Sequence, residues 1–230
     1  LLASFKEVDE DKIGVTGISW GGYLTCIVAG LDDRLKAAVP VYGCGFLHEN
    51  SVWKPRLDGF PPERRDRWVN SFDPSMYVPN VKCPILFLNG TNDFAYPLDS
   101  YQKSYQLVKS PRTLSVRVRL PHGHIWTFGE VDAFIDSHLK KGASLLEIGP
   151  MLREGESVST QVKGKARKAM LHYAIATGPW QKREWKSIAA EIDEGTVRAK
   201  LPADRPLVYF LGVTDARDVE VSTPHELIAK

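Results

Sequence analysis

Cysteine is scarce. The 230 residues hold three, Cys26, Cys44 and Cys83, odd in number and widely spaced. That argues against a disulfide framework and against a zinc site, and the three read as buried thiols. Long apolar runs are absent too: none approaches the ~20 residues of a membrane-spanning helix. Neither sign of charge dominates. Lys and Arg total 30, Asp and Glu 28, for a net charge of +2, which offers no electrostatic footing to nucleic acid or an anionic membrane. Repeats and low-complexity tracts are missing. The opening Leu-Leu-Ala-Ser-Phe has no initiator Met, no basic stretch and no cleavage pattern, so it does not read as a signal peptide. It reads as the end of a helix already under way, with sequence expected upstream and localisation left open.

What is present is a soluble globular composition, 43% hydrophobic and 25% charged, in a chain long enough for one large domain or two smaller ones. β-rich runs are expected at residues 13–18, 37–42, 84–89 and 114–120. Helical patterns are expected at 1–8, 21–30, 98–109 and 128–139, with a short helix at 63–69 in an otherwise irregular stretch. Strand and helix alternate four times, which predicts a parallel sheet with helices on both faces. After Gly142 the character changes. Short β-rich runs at 158–162, 168–177, 185–192, 196–201, 207–214 and 219–222, separated by turn residues, predict a small antiparallel β-sandwich. The expected division is therefore a domain over 1–142 and a second over 150–230.

In open parallel sheets ligands sit beyond the carboxyl ends of the strands. Four stretches place reactive side chains at that edge: Ser19, Cys44, Asp93 and the pair His122 and His124. Gly17-Ile18-Ser19-Trp20-Gly21 matches G-x-S-x-G. Ser19 on a sharp strand-to-helix turn projects its hydroxyl alone, and glycines let strand and helix approach. The Trp20 backbone N–H, at a helix N-terminus, would face a developing oxyanion. Asp93 follows the third strand in Gly90-Thr91-Asn92-Asp93 and can orient an imidazole. His122 and His124 follow the fourth strand in Pro121-His122-Gly123-His124. His124, preceded by Gly, is the preferred general base and His122 the alternative. Tyr42, Phe94 and Trp126 are the expected substrate-binding residues, and Phe46, Trp53 and Tyr96 are further candidates for an apolar pocket. No metal or cofactor is called for.

The order Ser, Asp, His is that of α/β-hydrolases. With the motif from Asp11 to Gly22 and the two loops just quoted, residues 1–141 resemble the C-terminal half of an α/β-hydrolase of the dienelactone hydrolase, acetyl xylan esterase and prolyl oligopeptidase group. The resemblance implies a sheet of about eight strands with Ser19 after the fifth, of which only the later strands are seen here. It implies a second oxyanion N–H from an earlier loop. Residues 142–230 loosely resemble β-sandwich modules, immunoglobulin- or fibronectin-like, appended to such enzymes. Trp180, Trp185, Tyr209 and Phe210 are their core candidates, or sugar-stacking residues if exposed. The activity implied is hydrolysis of a small-molecule or carbohydrate ester. A prolyl oligopeptidase-type peptidase, or a truncated binding module, are the alternatives. Oligomeric state is not legible.

Overall fold

The computed structural model describes residues 2–124 and 126–229. Its first half is a parallel sheet in the order β1-β2-β3-β4, formed by Gly14–Ile18, Ala37–Val41, Ile85–Gly90 and Arg112–Arg117. All three pairings are parallel. β2 and β3 are buried along their whole length, as their unbroken apolar sequence requires in a sheet covered on both faces. Helix α1 (Trp20–Leu31) crosses from β1 to β2, and α4 (Leu98–Gln106) crosses from β3 to β4. Between β2 and β3 lie α2 (Lys54–Asp58) and α3 (Pro62–Phe72), each with proline in its first turn, where no N–H is needed. Helix α5 (Gly129–Leu139) follows β4 and buries Val131 and Phe134. The helix expected at 1–8 does not form over its described residues. Leu2–Ser4 is a single 3-10 turn with no buried residue, and Leu1 lies outside the described residues. With no apolar face to bury, one turn cannot repay helix nucleation.

The second half is antiparallel throughout. One sheet joins β5 (Glu147–Ile148), β6 (Leu152–Glu154), β7 (Ser157–Lys163), β10 (Glu191–Asp193) and β11 (Thr196–Lys200). The other joins β8 (Ala166–Ile175), β9 (Lys186–Ala189), β12 (Leu207–Asp215), β13 (Glu220–Ser222) and β14 (Glu226–Ile228). Residues 185–192, expected as one strand, are divided between the two sheets at Ala190, so β9 pairs with β8 while β10 pairs with β11. The sheets face each other over Val158, Leu171, Val197, Leu211 and Val213.

β12 is buried on both faces, and the period of two explains how. Tyr209 and Leu211 point into the sandwich. Val208 and Phe210 point the other way, into a second core with Ala174, Trp180, Trp185, Leu98 of α4 and Val116 of β4. The sandwich is thus sealed against the parallel sheet by apolar contact. Trp180 and Trp185 are 8% and 6% exposed. They are packing residues and present no ring face to a sugar. Among the described residues no helix is long and apolar enough to cross a membrane.

Candidate active site

β1 ends at Ile18 and α1 begins at Trp20, so Ser19 alone makes the turn. It does so at φ 60°, ψ −116°, a conformation that costs on the order of 1–3 kcal/mol in a non-glycine residue. The surroundings hold it there. Ser19 N–H donates to the Val41 carbonyl at 2.9 Å. A Cβ on Gly17 would come within 2.4 Å of the Gly21 backbone, and one on Gly22 within 2.3 Å of the Val41 carbonyl. Gly17 and Gly22 are therefore the glycines the close approach demands. Gly21, the last position of the motif, has nothing within 4 Å of where its Cβ would sit. Trp20 is the first residue of α1, so its N–H has no acceptor within the helix and stays free for an anion beside Ser19.

Asp93 lies in the loop after β3 and is 2% exposed. Its Oδ1 accepts from the N–H groups of Ala95 at 2.8 Å and Tyr96 at 2.7 Å. Its Oδ2 lies 2.7 Å from Nδ1 of His122. The other ring nitrogen, Nε2, lies 2.9 Å from Ser19 Oγ. A carboxylate only accepts, so Nδ1 carries the proton and Nε2 is free to accept from the serine hydroxyl. The three side chains form one continuous relay.

The histidine that stands between Ser19 and Asp93 is His122, the expected alternative, and not His124, the preferred one. His124 is exposed and makes no hydrogen bond among the described residues. The reason is the length of β4. A strand reaching residue 120 would leave His122 too little slack to turn back. The strand stops at Arg117, and Arg119 takes φ 54°, so a loop of several residues precedes His122. That loop is pinned at two further points. The Tyr42 hydroxyl donates to the Pro121 carbonyl at 2.9 Å, and the Leu120 carbonyl passes so close to Gly90 that a Cβ there would meet it at 2.4 Å.

Of the expected substrate-binding residues, Tyr42 has a different place. It is fully buried, and its ring stacks on His122 with centroids 4.7 Å apart. It backs the imidazole and lines neither of the two cavities beside the site. Burial, reinforced by the Asp93 charge, pushes its phenol up to about 12, so it remains a donor at any working pH. Phe94 is 58% exposed, has its ring centroid 4.9 Å from that of His122 with the rings tilted, and lines a cavity of about 460 Å³ with Asn92, Asp93 and His122. Trp126 is exposed and packs on Phe128, outside the walls of this cavity. Trp20 and Trp53 lie with tilted rings 4.7 Å apart at their centroids and share the walls of a second cavity, about 830 Å³, between α1, α2 and α3. Tyr96 is fully buried behind Trp53, and burial raises its phenol far above the ordinary value. Phe46 turns at φ 59° beside His48 and lines neither cavity. The three cysteines are free and buried. Sequence reasoning passed over Asn92, whose side chain reaches the β-sandwich. Its one signal was the turn-forming Thr-Asn-Asp run, which also suits an ordinary loop.

Residues 1–121 match the dienelactone hydrolase family. The chain is 27% identical over 156 residues to the uncharacterized peptidase YuxL of Bacillus subtilis (strain 168), covering 57% of this chain and 23% of that protein. It is 25% identical over 140 residues to the acetyl esterase Axe7A of Xylanibacter ruminicola, covering 57% of this chain and 31% of that one. The acetyl xylan esterase of Paenibacillus sp. R4 superposes with a TM-score of 0.53 at 25% identity, over 60% of this chain and 48% of that one. The chain therefore spans about a quarter to a third of the length of the curated relatives it matches.

Proposed function

This chain belongs to the dienelactone hydrolase family, and from that premise we propose that it is a serine hydrolase that cleaves carboxylic esters through Ser19, His122 and Asp93. The observation that carries the reading is the relay itself: 2.9 Å from Ser19 Oγ to His122 Nε2, and 2.7 Å from Nδ1 to Asp93. As Ser19 Oγ attacks the ester carbonyl, its proton passes to Nε2. The imidazolium that results is held by the Asp93 carboxylate, and the oxyanion by the Trp20 N–H. His122 then gives the proton to the departing alkoxide, leaving an acyl group on Ser19. Water deprotonated by the same nitrogen attacks this acyl-enzyme, and Ser19 is restored as the acid leaves.

For the substrate we propose acetyl and other short acyl esters on carbohydrate. The acetyl esterase and acetyl xylan esterase relatives support this choice. Residues 1–142 are read as the catalytic domain and 150–230 as its accessory β-sandwich. A second reading, a peptidase of the prolyl oligopeptidase type, is favoured by the peptidase relative. Hydrolysis of p-nitrophenyl acetate and of a peptide p-nitroanilide by the full-length protein separates the two. The ester is expected to turn over and the anilide to be a poor substrate. Ser19→Ala should cost at least about 10⁴-fold in kcat, the scale of nucleophile deletion in such triads. Ester hydrolysis that survives Ser19→Ala sinks the reading, and preferential cleavage of the anilide replaces it with the second.

A further inference from the structure

The cavity of about 460 Å³ in front of Asp93 and His122 has walls from both halves of the molecule. One side is Asn92, Asp93, Phe94, Arg119 and His122. The other is the loop from Gln181 to Glu184, which belongs to the β-sandwich. The two sides are hydrogen-bonded through one side chain. Asn92 Nδ2 donates to the carbonyls of Gln181 at 3.1 Å and Arg183 at 2.8 Å. Its Oδ1 accepts from the Thr91 hydroxyl at 2.9 Å. That hydroxyl in turn accepts from the N–H of Arg119 at 3.0 Å, in the loop that carries His122. A single carboxamide therefore ties three segments together: the loop bearing Asp93, the loop bearing His122, and the sandwich loop. The sandwich loop is itself anchored. Trp180 is buried in the core between the halves, and the Arg183 guanidinium lies 3.6 Å from the centre of its ring.

We propose that Asn92 is a positioning residue, through which the β-sandwich holds the Asp93 and His122 loops in register and so makes the accessory half a working part of the active site. The inference rests on the Ser19–His122–Asp93 reading above. Physically, the two loops after β3 and β4 are also joined at their bases, by Thr91 N–H to the Arg117 carbonyl at 3.0 Å and by the Gly90–Leu120 approach, and at the relay by Asp93 Oδ2 to His122 Nδ1 at 2.7 Å. The Asn92 clamp adds a tie to the sandwich loop, and a pair of carbonyls that takes two donors selects Asn over Asp there. The charged groups of this wall, Arg119, Lys182, Arg183 and Glu184, face the cavity and not the relay, which His122 meets through Asp93, Ser19 and the rings of Tyr42, Phe94 and Tyr96.

The test is Asn92→Ala and Asn92→Asp in the full-length protein, read by two independent signals. With p-nitrophenyl acetate, both variants are expected to lose roughly ten- to a hundredfold in kcat, the scale of a small misplacement of reacting groups, with KM within about twofold. In proton NMR, the low-field resonance of the His122 Nδ1 proton should move upfield or broaden away. Asn92→Ser keeps one donor and should recover part of both signals; it also stands in should alanine fail to fold. Unchanged kcat and an unchanged resonance in a variant that merely melts lower would overturn the proposal. The resonance reports on the Asp93–His122 pair whether or not the ester is the substrate, so failure of this inference is distinct from failure of the esterase reading, which Ser19→Ala reports.

Discussion

Both halves of the molecule enclose histidine, with different partners. In the parallel-sheet half, His122 enters with Asp93 on one nitrogen and Ser19 on the other. In the β-sandwich, His172 has Ser187 Oγ at 2.7 Å from Nδ1, and only the Glu220 carboxyl, at 3.8 Å, near Nε2. Burial, helped by the Lys168 charge, pushes His172 down to about 4; burial and the Arg183 charge push His225 down to about 3. Glu220 is displaced the other way, up to about 7, by burial and by Glu130, against the pull of Arg117. His172 and Glu220 are therefore both neutral near pH 6 and form no ion pair. Burial alone silences an ionisable group. His122 differs in being only partly enclosed, with a carboxylate on one ring nitrogen and a hydroxyl on the other, and the difference between the halves lies in that pairing.

The strongest way to break the comparison is at the histidines after β4. His122→Ala is expected to cost about 10³- to 10⁴-fold in kcat, whereas His124→Ala, at an exposed position, should stay within about threefold. Equal losses in steady-state ester hydrolysis would remove the distinction. Next is the backbone. Gly17→Ala drives a Cβ against the Gly21 main chain, which cannot yield, and should cost more than about 3 kcal/mol by denaturant unfolding. Gly212→Ala in β12 meets the ends of His172 and Glu220, both at 2.8 Å, side chains that can shift, and should cost about 1 kcal/mol. A cost at Gly212 as large as at Gly17 would mean the sandwich pair is as rigid as the elbow.

A further effect is on pH. Because Glu220 has a higher value folded than its ordinary 4.5, its contribution is full below about pH 4.5 and fades as pH rises through about 7. Glu220→Gln should therefore gain on the parent protein by about 3 kcal/mol between pH 4 and pH 8. The difference in melting temperature across that range measures it, and a flat difference would mean that Glu220 is already ionised in the folded protein.

Much of this was readable from residue pattern. The alternation of β1 to β4 with helices, the elbow at Ser19, and an acid after β3 all follow from apolar runs and glycine placement, which local sequence carries. The choice of base did not. Val118 and Leu120 continue the alternation of β4, so pattern alone extends the strand, yet the chain leaves the sheet at Arg117 and packs the Leu120 carbonyl over Gly90. Tyr42 looked like a pocket residue because it follows a strand, but its φ of 58° turns it beneath His122. The split at Ala190 and the two-sided burial of β12 depend on which sheet meets which, and that is decided by contacts far apart in the chain. Asn92 is the same case: its partners Gln181 and Arg183 lie about 90 positions away.

The most direct measurement is covalent labelling of the full-length protein with a fluorophosphonate, followed by peptide mapping. The account requires one adduct, on Ser19, formed at nearly the parent rate in His124→Ala and slowed by orders of magnitude in His122→Ala. An unlabelled Ser19 would leave the chain as a binding module on a hydrolase fold, and labelling that is indifferent to His122 would contradict the relay.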